Sequence, residues 1–184
     1  MPIKTIFLDR DGVINKEINY LHKIDDFEFI DGIFDTCQHF QSLGYKIIII
    51  TNQSGIYRGY YTENDYQKVT QWMLTQFANE DINILDIFHC PHGPDSTCNC
   101  RKPKPGMFYQ AAKDWLFQLD RTIFIGDDPR DCQAASNAGC KSIFLGNQDE
   151  LLELKDQELP MSAHDNLFES IPSIREFFHR NANQ

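Results

Sequence analysis

Asp9 and Asp11 sit one residue apart where a short apolar run, Thr5-Ile6-Phe7-Leu8, gives way to a glycine, Gly12. Two carboxylates this close repel unless a cation or a shared proton lies between them. Residues i and i+2 of a regular strand face the same side, so the pair can address one small volume. A hard divalent ion such as Mg²⁺ suits these oxygens. A surface Asp-x-Asp turn has the same local pattern, so the pair gains meaning only from the rest of the chain. Two other apolar runs end in polar residues: Ile47 to Ile50 leads into Thr51-Asn52-Gln53-Ser54-Gly55, and Ile123 to Ile125 leads into Gly126-Asp127-Asp128. A further group has a different character. Cys90-x-His92 and Cys98-x-Cys100 gather three sulfurs and one imidazole between residues 90 and 100, the donor set of a closed tetrahedral structural zinc site. The spacing within each pair is tighter than in zinc fingers and demands a tight loop, which Pro91, Gly93 and Pro94 provide. Reduced thiols gathered by chance are the alternative.

The elements that must position these groups follow from hydrophobic periodicity. Four to eight apolar residues bounded by polar turns read as buried strands, here at Thr5–Leu8, Tyr45–Ile50, Ile84–His89, Arg121–Ile125 and Lys141–Leu145. Helical spacing appears after Asp31-Gly32, with Ile33, Phe34, Cys37, Phe40 and Leu43 on one face and Gly44 as the stop. Thr62-Glu63-Asn64-Asp65 resembles a capping box, and Tyr66, Val69, Met73 and Phe77 form the core stripe of the helix it starts. A third helix is expected from Gly106 to Leu119, with Phe108, Ala111, Ala112 and Trp115 inward. Asp128 as N-cap and Pro129 at the first helical position start a fourth, closed by Gly139. Residues 146–184 hold a polar stretch and a terminal helix from Pro172 to His179. The segment from Lys16 to Asp31 is long for a connection, as binding loops are. Strands alternating with helices indicate a Rossmann-like α/β fold, a parallel sheet with helices on both faces, in one domain spanning residues 1–184. In such a sheet the strands' carboxyl ends share one edge, so the polar loops can converge.

Bulk composition narrows the classes of function. The net charge of −10 argues against a broad nucleic-acid footprint. An anionic ligand would therefore need locally concentrated positive charge, for which Arg10, Arg58, Arg101, Lys102, Lys104 and Arg130 are the residues near the loops. No apolar run is long enough to cross a bilayer. Met1-Pro2-Ile3-Lys4 leads into a strand without a signal-peptide pattern, so a cytoplasmic protein is expected. Cys37, Cys132 and Cys140 read as buried packing.

Taken together, Asp9-Arg10-Asp11-Gly12, Thr51-Asn52-Gln53-Ser54-Gly55, Arg101-Lys102-Pro103 and Gly126-Asp127 through Asp131 resemble the four motifs of haloacid dehalogenase-like phosphatases. Within that family the chain is most similar to the heptose bisphosphate phosphatases. That likeness rests on Val13-Ile14-Asn15, Asp31-Gly32, Ile56-Tyr57-Arg58-Gly59, Cys90-Pro91-His92 and Cys98-Asn99-Cys100 through Met107, and it runs in register from Ile6 to Leu145. The resemblance implies a haloacid dehalogenase-like fold with a small zinc loop at residues 90–100 and no large cap domain. It implies a phosphatase removing the 7-phosphate of D-glycero-D-manno-heptose 1,7-bisphosphate in nucleotide-activated heptose biosynthesis. Asp9 would be the nucleophile and Asp11 the acid/base, with Thr51 and Lys102 stabilising the phosphoryl group. The Asp9 carboxylate, the Asp11 main-chain carbonyl and Asp127 would hold catalytic Mg²⁺. Cys90, His92, Cys98 and Cys100 would hold structural Zn²⁺. Arg10, Glu17, Ile18, Asn19, Tyr20, Asn52, Gln53 and Ser54 would contact substrate, and Arg101 would reach a second phosphate. The expected partner is a small phosphosugar, with no nucleic acid, no membrane and a monomeric chain. Asp128 departs from the lysine frequent at this position in relatives, and Asp131 reads as helix-start electrostatics rather than a ligand. Two other readings stay open: a histidinol-phosphate phosphatase, which shares the zinc loop, and a phosphosugar-binding or zinc-stabilised module without turnover.

Overall fold

A computed structural model describes residues 3–182; Met1 and Pro2, read above as leading into the first strand, lie outside it, as do residues 183 and 184. Six strands form one sheet: β1 (Thr5–Leu8), β2 (Lys46–Asn52), β3 (Ile84–Cys90), β4 (Thr122–Gly126), β5 (Lys141–Leu145) and β6 (Ser162–His164). Their order is β3-β2-β1-β4-β5-β6, and every pairing is parallel. The four inner strands, β1, β2, β4 and β5, alternate between two buried faces, as a parallel sheet covered on both sides requires. Ile6, Leu8, Ile47, Ile49, Ile123 and Ile125 face one way, into a layer with α1 (Ile33–Ser42), α2 (Glu63–Asn79) and α5 (Ile171–Ala182). Phe7, Ile48, Ile50 and Phe124 face the other, against α3 (Gly106–Trp115) and α4 (Pro129–Ala138). The doubly wound α/β class read from the sequence is the observed one, with no large cap domain among the described residues.

Local chemistry sets the helix ends. The Thr62 box forms as expected, its side chain accepting from the Asp65 amide while Asp65 accepts from the Thr62 amide. Asp128 caps α4 with Pro129 in the first turn, and Gly139 closes that helix in the left-handed region.

Five local expectations need correction. The helix expected to reach Leu119 ends at Trp115, because Leu116 turns to a left-handed φ of 55° and stands 85% exposed. Leu43 is the C-cap of α1 and is 37% exposed, so it does not continue the apolar stripe. β2 runs on through Thr51 and Asn52, because both pair with β3 at His89 and Cys90. The sequence reading had no β6; its three residues are polar or small and gain strand geometry only from pairing with β5. Finally, β1 ends at Leu8, so Asp9 and Asp11 are not alternate residues of a regular strand.

Candidate active site

The sheet order reverses between β1 and β4, and open α/β sheets bind ligands outside the strand ends at such a switch point. Leu8 pairs with Ile125 there, so Asp9, just after β1, and Gly126-Asp127, at the end of β4, emerge side by side. A cavity of about 400 Å³ opens over this point, with Asp9, Asp11, Thr51, Lys102, Asp127 and Asp131 among its lining.

Asp9 begins a tight turn. The Arg10 carbonyl accepts from the amides of Val13, Ile14 and Asn15, and Gly12 takes a φ of 85°. A Cβ at Gly12 would lie 1.7 Å from Asp127 Oδ2, so only glycine lets the turn close on that carboxylate. The turn also separates the two aspartates. Asp9 accepts from the Arg10 amide at 2.7 Å and pairs with Lys102 Nζ at 2.8 Å. Asp11 instead faces a buried fork from Arg10, with Nη2 2.8 Å from Oδ1, and accepts from Asn15 Nδ2 and Gln53 Nε2 at 3.0 Å each. Arg10 was expected to contact substrate. Its side chain is buried behind Asp11, near the ring of Tyr66, and does not line the cavity.

Lys102 is fully enclosed between Asp9 and Asp131, whose Oδ1 lies 2.7 Å from Nζ. Its main chain is fixed by Asn52, which donates to the Lys102 carbonyl at 3.2 Å and accepts from the Lys102 amide at 3.0 Å. Gln53 donates to Thr51 Oγ1 and Asp11 while accepting from Tyr61 Oη at 2.7 Å. Asn52 and Gln53 thus reach the cavity wall as expected, but their amides hold the neighbouring site residues in place. Glu17, Ile18, Asn19 and Tyr20 line the mouth with Ser54 and Arg101.

Three carboxylates, Asp9, Asp127 and Asp131, bring oxygens within 4.8 Å of one another around the Lys102 ammonium. Burial pulls the Lys102 ammonium down, but Asp131 and Asp9 more than offset it and hold its pKa above the usual lysine range. The excess negative charge falls on the carboxyls. Burial lifts Asp9 well above the carboxylate range despite Lys102, and burial together with Asp131 lifts Asp127 to about 7. A hard cation would relieve this excess, and the all-oxygen donor set fits one. Asp131 does cap α4, accepting from the Asp128 amide at 3.2 Å, but it also belongs to this cluster. At Gly126 a Cβ would lie 2.3 Å from Asp131 Oδ2, so that residue too is excluded from carrying a side chain.

Beyond the Lys102 loop, Cys90, His92, Cys98 and Cys100 also bring their ligand atoms within 4.8 Å of one another. The Cys90 and Cys100 sulfurs are 3.0 Å apart, and His92 Nδ1 is 3.2 Å from Cys100 Sγ. Convergence of three soft sulfurs and one imidazole on a single point fits a tetrahedral metal. His89 stays outside the group, paired with Glu63 at 2.8 Å and packed on Tyr66.

The residues missed in the sequence are those recruited by the fold. Tyr61, Leu21, Asp128 and Asp131 line the cavity, and so do Arg58 and Arg130, which were noted only as nearby charge. Arg130 sits in the first turn of α4 and Asp131 one position further, so the helix start after Asp127 was the available signal.

Comparison with known proteins agrees with this geometry. A family model for haloacid dehalogenase-like hydrolases matches residues 3–139. The D-glycero-alpha-D-manno-heptose-1,7-bisphosphate 7-phosphatase of Photorhabdus laumondii is 49% identical over 150 residues, covering 78% of this chain and 82% of that one. The D-glycero-beta-D-manno-heptose-1,7-bisphosphate 7-phosphatase of Helicobacter pylori J99 is 44% identical over 149 residues, covering 80% and 86%. The crystal structure of D,D-heptose 1,7-bisphosphate phosphatase from B. bronchiseptica, complexed with magnesium and phosphate, matches with a TM-score of 0.84 at 30% identity, over 95% of this chain and 99% of that one. The chain belongs to the haloacid dehalogenase-like hydrolases, in the branch that contains the heptose-1,7-bisphosphate 7-phosphatases.

Proposed function

We propose that this chain is a Mg²⁺-dependent phosphatase that removes the 7-phosphate of D-glycero-D-manno-heptose 1,7-bisphosphate, in the making of nucleotide-activated heptose. The observation that carries the reading is the Asp9 carboxylate beside Lys102, Asp127 and Asp131 on the floor of a cavity whose mouth holds free arginine charge. Asp9 attacks phosphorus, forming one P–O bond as the bond to the sugar oxygen breaks, and carries the phosphoryl group as an aspartyl-phosphate. Asp11 gives its proton to the departing sugar oxygen and takes one from the water that later attacks. Arg10, Asn15 and Gln53 orient the Asp11 carboxyl. Lys102 and Thr51 stabilise the equatorial oxygens during transfer. The Asp9 and Asp127 carboxylates and the Asp11 carbonyl would hold Mg²⁺, which supplies charge neutralisation to nucleophile and phosphate alike.

Zinc is the metal we assign to Cys90, His92, Cys98 and Cys100, in a structural role. Arg101 reaches the second phosphate, and its Nη1 donates to the His92 carbonyl at 3.2 Å, which ties it to that loop. Residues 1–184 act as one domain, supported by a single sheet that includes β6 near the chain's end. A monomer in the cytoplasm acting on a soluble phosphosugar fits six cysteines of which none is in a disulfide. Among the described residues no helix is long and apolar enough to cross a membrane.

Histidinol phosphate would bring a cationic end toward Arg58 and Arg101, and electrostatics disfavours that pairing. A module without turnover has no need of the Asp9–Lys102–Asp131 arrangement. Phosphate release with Mg²⁺ from both anomers of the heptose bisphosphate, beside histidinol phosphate, tests the reading. It holds if at least one anomer is turned over with kcat/KM far above that of histidinol phosphate, and it fails if histidinol phosphate is preferred or nothing is hydrolysed.

A further inference from the structure

Four cations line the cavity: Arg58, Arg101, Lys102 and Arg130. Two of them are already answered by carboxylates. Lys102 lies between Asp9 and Asp131, and Arg130 forks onto Asp128, with Nη2–Oδ2 at 2.5 Å and Nε–Oδ1 at 2.9 Å. Among the described residues, Arg58 and Arg101 form no ion pair.

Arg58 stands where three loops meet. Its amide donates to the Ser54 carbonyl at 3.1 Å, which fixes it to the segment after β2. The preceding amide, of Tyr57, donates to the Pro91 carbonyl at 3.2 Å, and a Cβ at Gly93 would lie 2.3 Å from the Tyr57 ring. Its guanidinium carbon lies 5.9 Å from the centre of the Tyr20 ring, and Tyr20 in turn meets Tyr60 edge-on at 4.7 Å. Contact with an aromatic ring orients a guanidinium without consuming its N–H donors. Among the described residues no protein acceptor takes those donors. An exposed, oriented, unanswered guanidinium at the mouth of a cavity is suited to bidentate capture of an anionic group.

We infer that Arg58 is a specificity-determining residue that, with Arg101, receives the phosphate not being hydrolysed, and that Tyr20 positions it. The inference rests on the bisphosphate reading above and adds a second cation to it. Arg130 is excluded from this role because its fork is closed on Asp128.

The test compares kcat/KM for the heptose bisphosphate with that for heptose 7-phosphate, which lacks the second group. Arg58→Ala should lower the bisphosphate value by roughly tenfold to a hundredfold, as expected for one charge-assisted hydrogen-bonding partner, and leave the monophosphate value nearly unchanged. Arg58→Lys should recover part of the loss. Tyr20→Phe, which keeps the ring, should retain the wild-type ratio of the two substrates, whereas Tyr20→Ala should lower it. Arg58 is exposed, so thermal unfolding of its variants should match that of the wild type. An equal loss on both substrates, or no loss on either, overturns the inference while a wild type that favours the bisphosphate keeps the functional reading intact. A wild type with no preference between the two substrates overturns both.

Discussion

At the scale of residues, Asp9 and Asp11 are sequence neighbours whose carboxylates face different partners. Asp9 meets Lys102, whereas Asp11 meets Arg10, Asn15 and Gln53. Asp9→Asn removes the proposed nucleophile, so kcat should fall by at least about a thousandfold with the fold intact by circular dichroism. Asp11→Asn should leave Mg²⁺ affinity closer to the wild type than Asp9→Asn does, because the assigned Asp11 ligand is its carbonyl. Equal collapse of Mg²⁺ binding in the two variants, by calorimetry, would refute that division.

The carboxyl of Asp127 gives a signed dependence on pH. In the metal-free protein burial, then Asp131, keep it protonated to about 7, whereas an unfolded aspartate releases its proton near about 3.9. Between those values the folded state binds more protons, so this group subtracts stability as pH rises. Mg²⁺ binding must displace the proton at the low end of that window and not at the high end. The melting temperature should therefore rise more on adding Mg²⁺ at about pH 7.5 than at about pH 5. A shift independent of pH would contradict it.

At the scale of elements, the Cys/His loop is tied to the catalytic floor through the chain that follows it. Cys100 is succeeded by Arg101 and Lys102, Arg101 donates to the His92 carbonyl, and Lys104 Nζ donates to the Cys98 carbonyl at 2.6 Å. Cys98→Ser or Cys100→Ser should lower kcat/KM by about tenfold to a hundredfold, the scale of disturbing a supporting shell. The sheet should remain folded, because the layer holding α1, α2 and α5 takes no residue from this loop and the other takes only Cys90, Cys98 and Cys100. Elemental analysis beside kinetics decides the matter: a zinc-free variant with full turnover would mean the loop supports nothing in the site. The ligand spacing in this loop was legible in sequence because donor type and spacing alone define such a group. The roles of Asn52 and Gln53 were not. An amide in a polar run reads as a substrate contact, and only the pairing of β2 with β3 brings Asn52 opposite the Lys102 backbone. The end of α3 was misread for a related reason. Leu116 and Phe117 continue the apolar pattern, but Leu116 leaves the helix in the left-handed region and Phe117 re-enters the core from a turn.

At the scale of the whole molecule, the central strands announced themselves as apolar runs because both their faces are buried, whereas the tail carried no such signal. β6 is three residues long and α5 presents its apolar residues among charged ones, yet Leu167, Ile171, Ile174 and Phe178 complete the layer that also holds α1 and α2. Ile174 is 1% exposed. Ile174→Ala should cost about 2–5 kcal/mol in urea unfolding while leaving kcat unchanged, since it lies far along the chain from every proposed site residue. A cost below about 1 kcal/mol would mean that the tail is docked loosely rather than built into the core.

The central question for the molecule is which phosphate leaves. In the proposed reading one phosphate lies over Asp9 at the sheet's switch point, and Arg58 and Arg101, which line the same cavity, receive the other. Phosphorus NMR of the product formed from the heptose bisphosphate with Mg²⁺ reads this directly. The products expected are inorganic phosphate and a heptose carrying phosphate on C1 alone. A product that keeps the 7-phosphate and has lost the one on C1 would contradict it.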